Sequence, residues 1–374
     1  MGNSSSRGGH YEKIAEYNYF IFSKLPPEIK IDQEMMELYG EAMLSLGKFA
    51  EAQTRIPSKR RFLHVYVAKE AIFSSQIENI NTTLPQVLEY KSKERSENED
   101  VQEVLNYIEA LNFGDELMTD KNLPVSSRLI RECHKKFFSG VRGENKTPGH
   151  YRKVPVFVGE LVPPPAHYIE DLIYNLEKFI NENNSLLPLL RVGLTHVQFE
   201  TIHPFLDGNG RIGRLLIVLM MMDYKLINEP VLYPSIFFMK NRSEYYSRLD
   251  AVRLKGDYEG WIKFFLRGIK TSADDIVKRA WKIDSLLKDY SYAIANQLPR
   301  VRKNAEKLLE QLCETPIMTI NDVMDLIGTS YATAQKLVNS FIELDILKHE
   351  DQKQRNKAFV LWKYLNILEK DVID

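Results

Sequence analysis

A chain of 374 residues has room for two or three domains, and 44% apolar with 27% charged side chains is the balance of a globular protein, not a disordered one. Fifty basic and 51 acidic side chains leave a formal charge of -1, which excludes a whole-molecule attraction to nucleic acid or to an anionic membrane and leaves only local patches. The longest apolar run, Leu215–Met222, is far shorter than the ~20 residues of a spanning helix, and the two cysteines, Cys133 and Cys313, supply neither a disulfide framework nor a Cys-rich zinc site; the expected setting is reducing and cytoplasmic, with no membrane partner.

In chain order, residues 1–10 are Gly/Ser-rich, lack the apolar core of a signal peptide and read as a flexible tail. The string Met1-Gly2-Asn3-Ser4-Ser5-Ser6 fits a myristoylation pattern, but nothing downstream supplies a second membrane signal. From Ile31 to about Asn112 the apolar residues recur at helical spacing, as at Met35, Leu38, Tyr39, Ala42, Met43 and Leu46. Pro57 and Pro85 punctuate this region; Arg61–Glu78 reads as one amphipathic helix, and Lys91–Asp100 as a solvated loop or helix start. A second block opens at Pro124-Val125-Ser126, with Ser126 or Ser127 placed to cap a helix. Between Thr147 and Pro165 the pattern changes to alternation at Val154, Val156 and Val158, bounded by Gly149, Gly159 and Pro163-Pro164-Pro165, which predicts a small β-hairpin.

Helices are then expected from Tyr168 to about Arg267, interrupted by a loop at His203–Asn209, with a connecting helix over Asp274–Asn296. The remainder reads as helices over Asn304–Leu312, Ile320–Ile327 and Tyr331–Leu344, followed by strand character over Leu347–Trp362. That order is the pattern of a winged helix-turn-helix module. The fold class expected is therefore mainly α, divided into a helical region at 11–115, a core with its following helices at 116–296 and the winged module at 297–374.

The segment His203–Arg214 carries the chemistry. Gly208 and Gly210 permit backbone conformations that aim successive N–H groups at one point, and free amides at a helix N-terminus attract anions. Arg211 and Arg214 are three apart and project from one side of the first helical turn. Glycine-built amides with two arginines suit a polyphosphate, and Asp207 is a carboxylate suited to Mg²⁺ bridging phosphate oxygens. His203 stands where a general base would, with an unperturbed pKa near ~6.5. A zinc site from His196, His203 and Asp207 has nothing in the sequence to orient the two imidazoles and is set aside.

This segment resembles the signature of the Fic (filamentation induced by cAMP) family, His-Pro-Phe-x-Asp-Gly-Asn-Gly-Arg-x-x-Arg, and matches it at every specified position. The likeness covers roughly Pro124–Leu266. It implies a Fic-type helical core with a β-hairpin flap, and an enzyme that moves AMP from ATP to a hydroxyl of a target protein or of itself. By matching positions it implies that His203 deprotonates the hydroxyl and that Asp207 binds Mg²⁺ between the α- and β-phosphates. It further implies that Asn209 and the amides of Gly208–Arg211 hold the α-phosphate, that Arg211 and Arg214 take the β- and γ-phosphates, and that Ile212 and Gly213 belong to the same stretch. Gly149-His150-Tyr151-Arg152 with the residues to Val162 resembles the family's flap, which clamps the target by strand addition; Val158, Gly159, Glu160 and Leu161 would border the nucleotide. Tyr245 resembles a nucleoside contact, Arg253 stands where some relatives carry Asn, and a homodimer is implied because many relatives form one.

Ser74-Ser75-Gln76-Ile77-Glu78-Asn79 resembles the family's inhibitory motif. Ser74 and Glu78 share one helical face, and Asn79 suits a left-handed helix end. The expectation is a charge-assisted pair between Glu78 and Arg214 that occupies the arginine meant for the γ-phosphate. In some relatives the same Glu positions a water that removes AMP again. The rival reading makes the chain a transcriptional regulator or interaction protein, with the Fic segment as a nucleotide sensor. From Val301 onward, however, ten basic side chains face twelve acidic ones, and Tyr331–Phe341 contains only Lys336; Lys348, Lys353, Arg355 and Lys357 form at most a modest basic wing, which leaves DNA binding open.

Overall fold

Helical periodicity governs most of the chain, and the first departure from it lies at the N-terminus. The computed structural model describes residues 7–54, 59–88, 98–139, 146–182, 185–349 and 358–369. Met1–Ser6, Pro57, residues 91–97 of the charged run and the wing cations Lys353, Arg355 and Lys357 lie outside the described residues. The stretch expected to be a tail joins the fold from Arg7, whose guanidinium pairs with Glu259. Strands β1 (Gly9–Ile14) and β2 (Tyr17–Phe22) then form an antiparallel hairpin, with Gly9 opposite Phe22 and Ile14 opposite Tyr17. Tyr, Phe and Ile favour a strand here. The two-residue turn is Ala15-Glu16, with Ala15 at φ 54°, and it lacks the Asn or Gly that flags a hairpin in sequence.

Helices α1 (Gln33–Gln53), α2 (Lys59–Ile77), α3 (Leu84–Leu88) and α4 (Glu99–Thr119) follow. Asn98 caps α4, accepting from the amides of Asp100 and Val101. Ser126 caps α5 (Ser127–Phe137) through the Leu129 amide. A 3₁₀ turn (Ala166–Tyr168) leads into α6 (Ile169–Asn181), α7 (Pro188–Ile202), α8 (Asn209–Asp223), α9 (Ser235–Lys240), α10 (Arg242–Lys255) and α11 (Tyr258–Gln297). Of the fifteen residues of α8, thirteen are buried, so this helix has no solvent face and forms the axis around which α7, α4 and α5 pack.

The predicted break near residues 267–274 is absent: α11 is continuous, because neither Gly268 nor the Ser272-Ala273-Asp274 run removes a backbone donor as a proline would. The chain divides into two compact units, 1–46 with 66–273 and 47–65 with 274–374. In the second unit α12 (Arg302–Glu314), β3 (Ile317–Thr319), α13 (Ile320–Ile327), α14 (Tyr331–Glu343), β4 (Lys348–His349), β5 (Ala358–Val360) and α15 (Trp362–Glu369) occur in that order. The three strands form an antiparallel sheet ordered β3-β5-β4. Thr319 and Asp322 make a capping box at the start of α13, and Gly328 ends it at φ 62°. Helix α15 was not expected; it is anchored by Arg279, which donates to Ile367 O (2.6 Å), and by the Tyr364 hydroxyl on Cys313 O (3.3 Å).

Candidate functional site

The loop between α7 and α8 is braced on every side before any ligand is considered. His203 ends α7 in the left-handed region, φ 50° and ψ 60°. Its Nδ1 lies 3.3 Å from Glu200 O; a carbonyl only accepts, so Nδ1 carries the proton and Nε2 is left as the basic nitrogen. Burial, with Arg253 and Arg152 acting in the same sense, lowers the imidazole pKa to about 4, so His203 is neutral near pH 7. Asn209 is buried and spends both ends of its amide on one residue, accepting from Phe205 N (2.8 Å) and donating to Phe205 O (2.9 Å). Its side chain shapes the loop.

Two residues that the motif does not contain complete the brace. Arg152, 2% exposed, donates from Nε to His203 O (2.8 Å). His134 is wholly buried, accepts at Nδ1 from Gly149 N (2.9 Å) and therefore donates from Nε2 to Asp207 O (3.1 Å). Its ring stacks on Phe205 at 3.7 Å between centroids, and burial pulls its pKa to about 4. Gly208 adopts φ 74°, where an L side chain is strained, and a Cβ there would also meet the Phe138 ring at 2.8 Å. Its amide donates to Asp207 Oδ1 (2.6 Å). The first turn of α8 closes with Ile212 N on Gly208 O, which leaves the amides of Asn209, Gly210 and Arg211 ahead of any intrahelical partner. Ile212 points into the core.

Arg214, 1% exposed, is held by the end of α2: Nε donates to Ser74 Oγ (2.9 Å), and Nη2 to Ser74 O (2.8 Å) and to Glu78 Oε1 (2.8 Å). Asn79 ends that helix at φ 63°, as its residue type suggests, and its Oδ1 accepts from Arg242 (2.8 Å). Burial works against the ionised form of Glu78, but Arg214, with Arg211 and His203, outweighs it and holds the carboxyl below its ordinary pKa. The Arg214 pKa is raised in spite of burial, with Glu78 the leading opposing cause. A Cβ on Gly210 would lie 2.3 Å from Glu78 Oε1, so the bare backbone at 210 is what admits this carboxylate.

A second carboxylate, this one buried, occupies the corresponding space at Gly213, where a Cβ would lie 2.2 Å from Glu200 Oε1. That oxygen has no hydrogen-bond partner. Burial raises the Glu200 pKa to about 7, opposed by Arg214, reinforced by Glu78 and opposed again by Arg253. The folded protein keeps this proton from the ordinary glutamate range up to about 7 while the unfolded chain releases it, so stability falls as pH rises through that window. At ~1.4 kcal/mol per pKa unit the fall is about 3 kcal/mol. Glu200→Gln is expected to flatten this slope in thermal melts taken between pH 5 and 8; a variant with the slope of the parent would show that Glu200 is already ionised when folded. Glu70, also buried, is raised to about 7 by burial against the opposing hydrogen bonds from Ser235 and Tyr107, and it supplies a similar slope.

Tyr245 is buried with its hydroxyl 2.8 Å from His196 Nε2, inside a cluster with Phe238 and Trp261. His196 donates from Nδ1 to Gly213 O (3.0 Å), so both its nitrogens are engaged and it is no metal ligand. Tyr245 is therefore linked through His196 to the Gly213 carbonyl of α8. The half-exposed tyrosine whose hydroxyl pKa is raised by burial and by Glu78 is its neighbour Tyr246, which the sequence pattern alone does not distinguish. Arg253 is likewise internal, on Thr201 Oγ1 (3.1 Å).

The hairpin expected over 147–165 contracts to one bridge, Val158 with Leu161, around a Gly159-Glu160 turn with Gly159 at φ 59°. Val154 and Val156 form no strand: Pro155 and the proline triplet lack donors, and Arg152 takes Val154 O (3.2 Å) and Pro164 O (2.6 Å), carbonyls that a ladder would need. Val154 and Phe157 are exposed, and Phe20 N reaches Val162 O (2.9 Å), tying β2 to the flap.

A glycine-formed helix start, an oriented imidazole and a buried arginine on a helical core define the class: a Fic-type fold. Residues 124–221 match the Fic/DOC family, and residues 36–116 match the Fic/DOC family N-terminal region. It is similar to protein adenylyltransferase fic-1 of Caenorhabditis elegans, 28% identical over 189 residues that cover 47% of this chain and 35% of that protein. It is also similar to protein adenylyltransferase Fic of Nematostella vectensis, 27% identical over 258 residues that cover 67% of this chain and 57% of the relative. The chain thus spans less than two thirds of either relative. A solved Fic family protein from Desulfovibrio desulfuricans G20 shares the fold, with a TM-score of 0.60 at 21% identity over 90% of this chain and 98% of that one. Among the described residues no helix is long and apolar enough to cross a membrane.

Proposed function

We propose that the chain is a protein adenylyltransferase that transfers AMP from ATP to a hydroxyl side chain of a target protein, and of itself, and that Glu78 restrains it. The observation that carries this reading is the neutral His203, its basic Nε2 left open beside the amide-rich, arginine-bearing start of α8. The target hydroxyl oxygen bonds to the α-phosphorus as the bond to the pyrophosphate oxygen breaks, and the hydroxyl proton passes to His203 Nε2. The helix amides and Arg214 offset charge on the phosphates, which is the main task in such a transfer.

Asp207 suits Mg²⁺. Its side chain is half-exposed, its Oδ2 carries no hydrogen bond among the described residues, and no group of three or more His, Cys, Asp or Glu side chains there would form a protein-only cage. Mg²⁺ bound there with phosphate oxygens would neutralise developing charge. We place the target segment along the flap, where Val154 and Phe157 are exposed, with Val158, Gly159, Glu160 and Leu161 at the bridge bordering the nucleotide. The sheet and helix order of the second unit supports the winged-helix reading; its sparse cations favour contact with protein over DNA. Two buried free thiols fit a cytoplasmic setting.

The test uses ATP labelled at either end with the Glu78→Gly variant. Label from the α-phosphate is expected on protein and label from the γ-phosphate is not. Protein carrying γ-label would replace AMP transfer with phosphoryl transfer.

A further inference from the structure

The two motif arginines face different carboxylates. Arg214 meets Glu78 from α2, whereas Arg211 meets Glu103 from α4, which the signature does not mention. Arg211 Nη1 donates to Glu103 Oε2 in an ion pair whose side chains are each 6% exposed. The guanidinium lies 4.6 Å over the Phe137 ring, and its Nε is buried without a hydrogen-bond partner. On its other arm Nη2 stands 3.4 Å from Asp207 Oδ1, a long and weak contact for an ion pair.

A buried guanidinium between two carboxylates is drawn to both, and it leans toward the one in the drier place, where screening is least. Glu103 is that one, because Asp207 is 48% exposed on its side chain. Resting on the nucleotide-transfer reading above, we propose that Glu103 is a positioning residue: it limits Arg211 to one long contact with Asp207 Oδ1 and so leaves the Asp207 carboxylate open to a divalent cation. Without the charge on Glu103, Arg211 has Asp207 as its nearest carboxylate, and the arginine closes on the group that the cation needs.

The test measures ATP binding to the full chain by calorimetry across a Mg²⁺ series, in the Glu78→Gly parent and with Glu103→Gln added. Gln keeps the size and one acceptor oxygen, and melting curves report whether the variant is folded. The Mg²⁺ concentration for half-maximal ATP binding is expected to rise about tenfold, with ATP affinity recovered at saturating Mg²⁺. In the Asp207→Asn background Glu103→Gln is expected to add no further shift, because both substitutions act through one carboxylate. A loosened fold would instead weaken ATP binding at every Mg²⁺ concentration, and an equal additional shift in the Asp207→Asn background would mean that Glu103 acts elsewhere; either result overturns the proposal. A parent that takes up no ATP at any Mg²⁺ concentration overturns the nucleotide reading itself, and Glu103's role with it.

Discussion

Glu78→Gly is expected to raise the incorporation of AMP into protein, self-modification included, by about 10- to 100-fold. That range follows from one charge-assisted hydrogen bond to a buried arginine, ordinarily worth ~1.5–3 kcal/mol. The pair at 2.8 Å occupies Arg214, and the same carboxylate fills the space over Gly210, so its removal frees both a cation and a volume. Arg214 keeps its two bonds to Ser74, which holds the guanidinium in place after the substitution. The variant is also expected to melt lower than the parent without ligand, since a buried arginine has lost its counter-charge. Mg²⁺ and ATP should restore its melting temperature while leaving that of the parent nearly unmoved. Equal incorporation in the two proteins would remove Glu78 as a brake. Acid does not substitute for the mutation: the depressed pKa of Glu78 keeps the pair complete above the ordinary glutamate range and loses it only as pH falls through the lowered value, so pH 5 leaves the parent restrained.

His203→Ala in the Glu78→Gly background is expected to lower transfer by about 10²- to 10⁴-fold, the span of positioned general-base catalysis. ATP affinity, read by calorimetry, should change little, because the imidazole leads the loop and the amides and Arg214 follow it on α8. The loop itself does not depend on the ring: Arg152 grips the His203 carbonyl, and Asn209 and His134 hold Phe205 and Asp207. The pH profile gives a second check. A base drawn to about 4 by burial is unprotonated across the neutral range, so the acid limb of transfer should lie near that value and not near ~6.5. Retained transfer in the alanine variant would take His203 out of the mechanism.

Much of the fold was legible because it is local. The apolar spacing from Met35 to Leu46 repeats at the helical period, Ser126 caps where its position suggests, and α13 spans the Ile320–Ile327 that the pattern marks. The failures were also physical. The β1–β2 hairpin turns through Ala15-Glu16, which carries no turn chemistry, and the Val154–Val158 alternation is overruled by prolines and by Arg152 reaching in from outside the pattern. Tyr245 and Asn209 carry the right chemistry for ligand contacts, and the packed structure adds internal bonds that the string does not show, Tyr245 to His196 and Asn209 to Phe205. Nothing in a linear string separates Tyr245 from Tyr246, since adjacent helical residues differ only in which way the packed helix turns them.

The linear string was enough to locate a glycine-formed helix start bearing two arginines, because residues within one turn are neighbours wherever that turn is placed. It also marked Glu78 as a partner by its resemblance to a known motif. It took packing to bring three glutamates, Glu78 from the end of α2, Glu103 from α4 and Glu200 from α7, against the first two turns of α8. The ionisable group of a side chain is fixed by its covalent structure, but the burial and distances that set its charge and energy arise only when segments far apart in the chain pack around one buried helix.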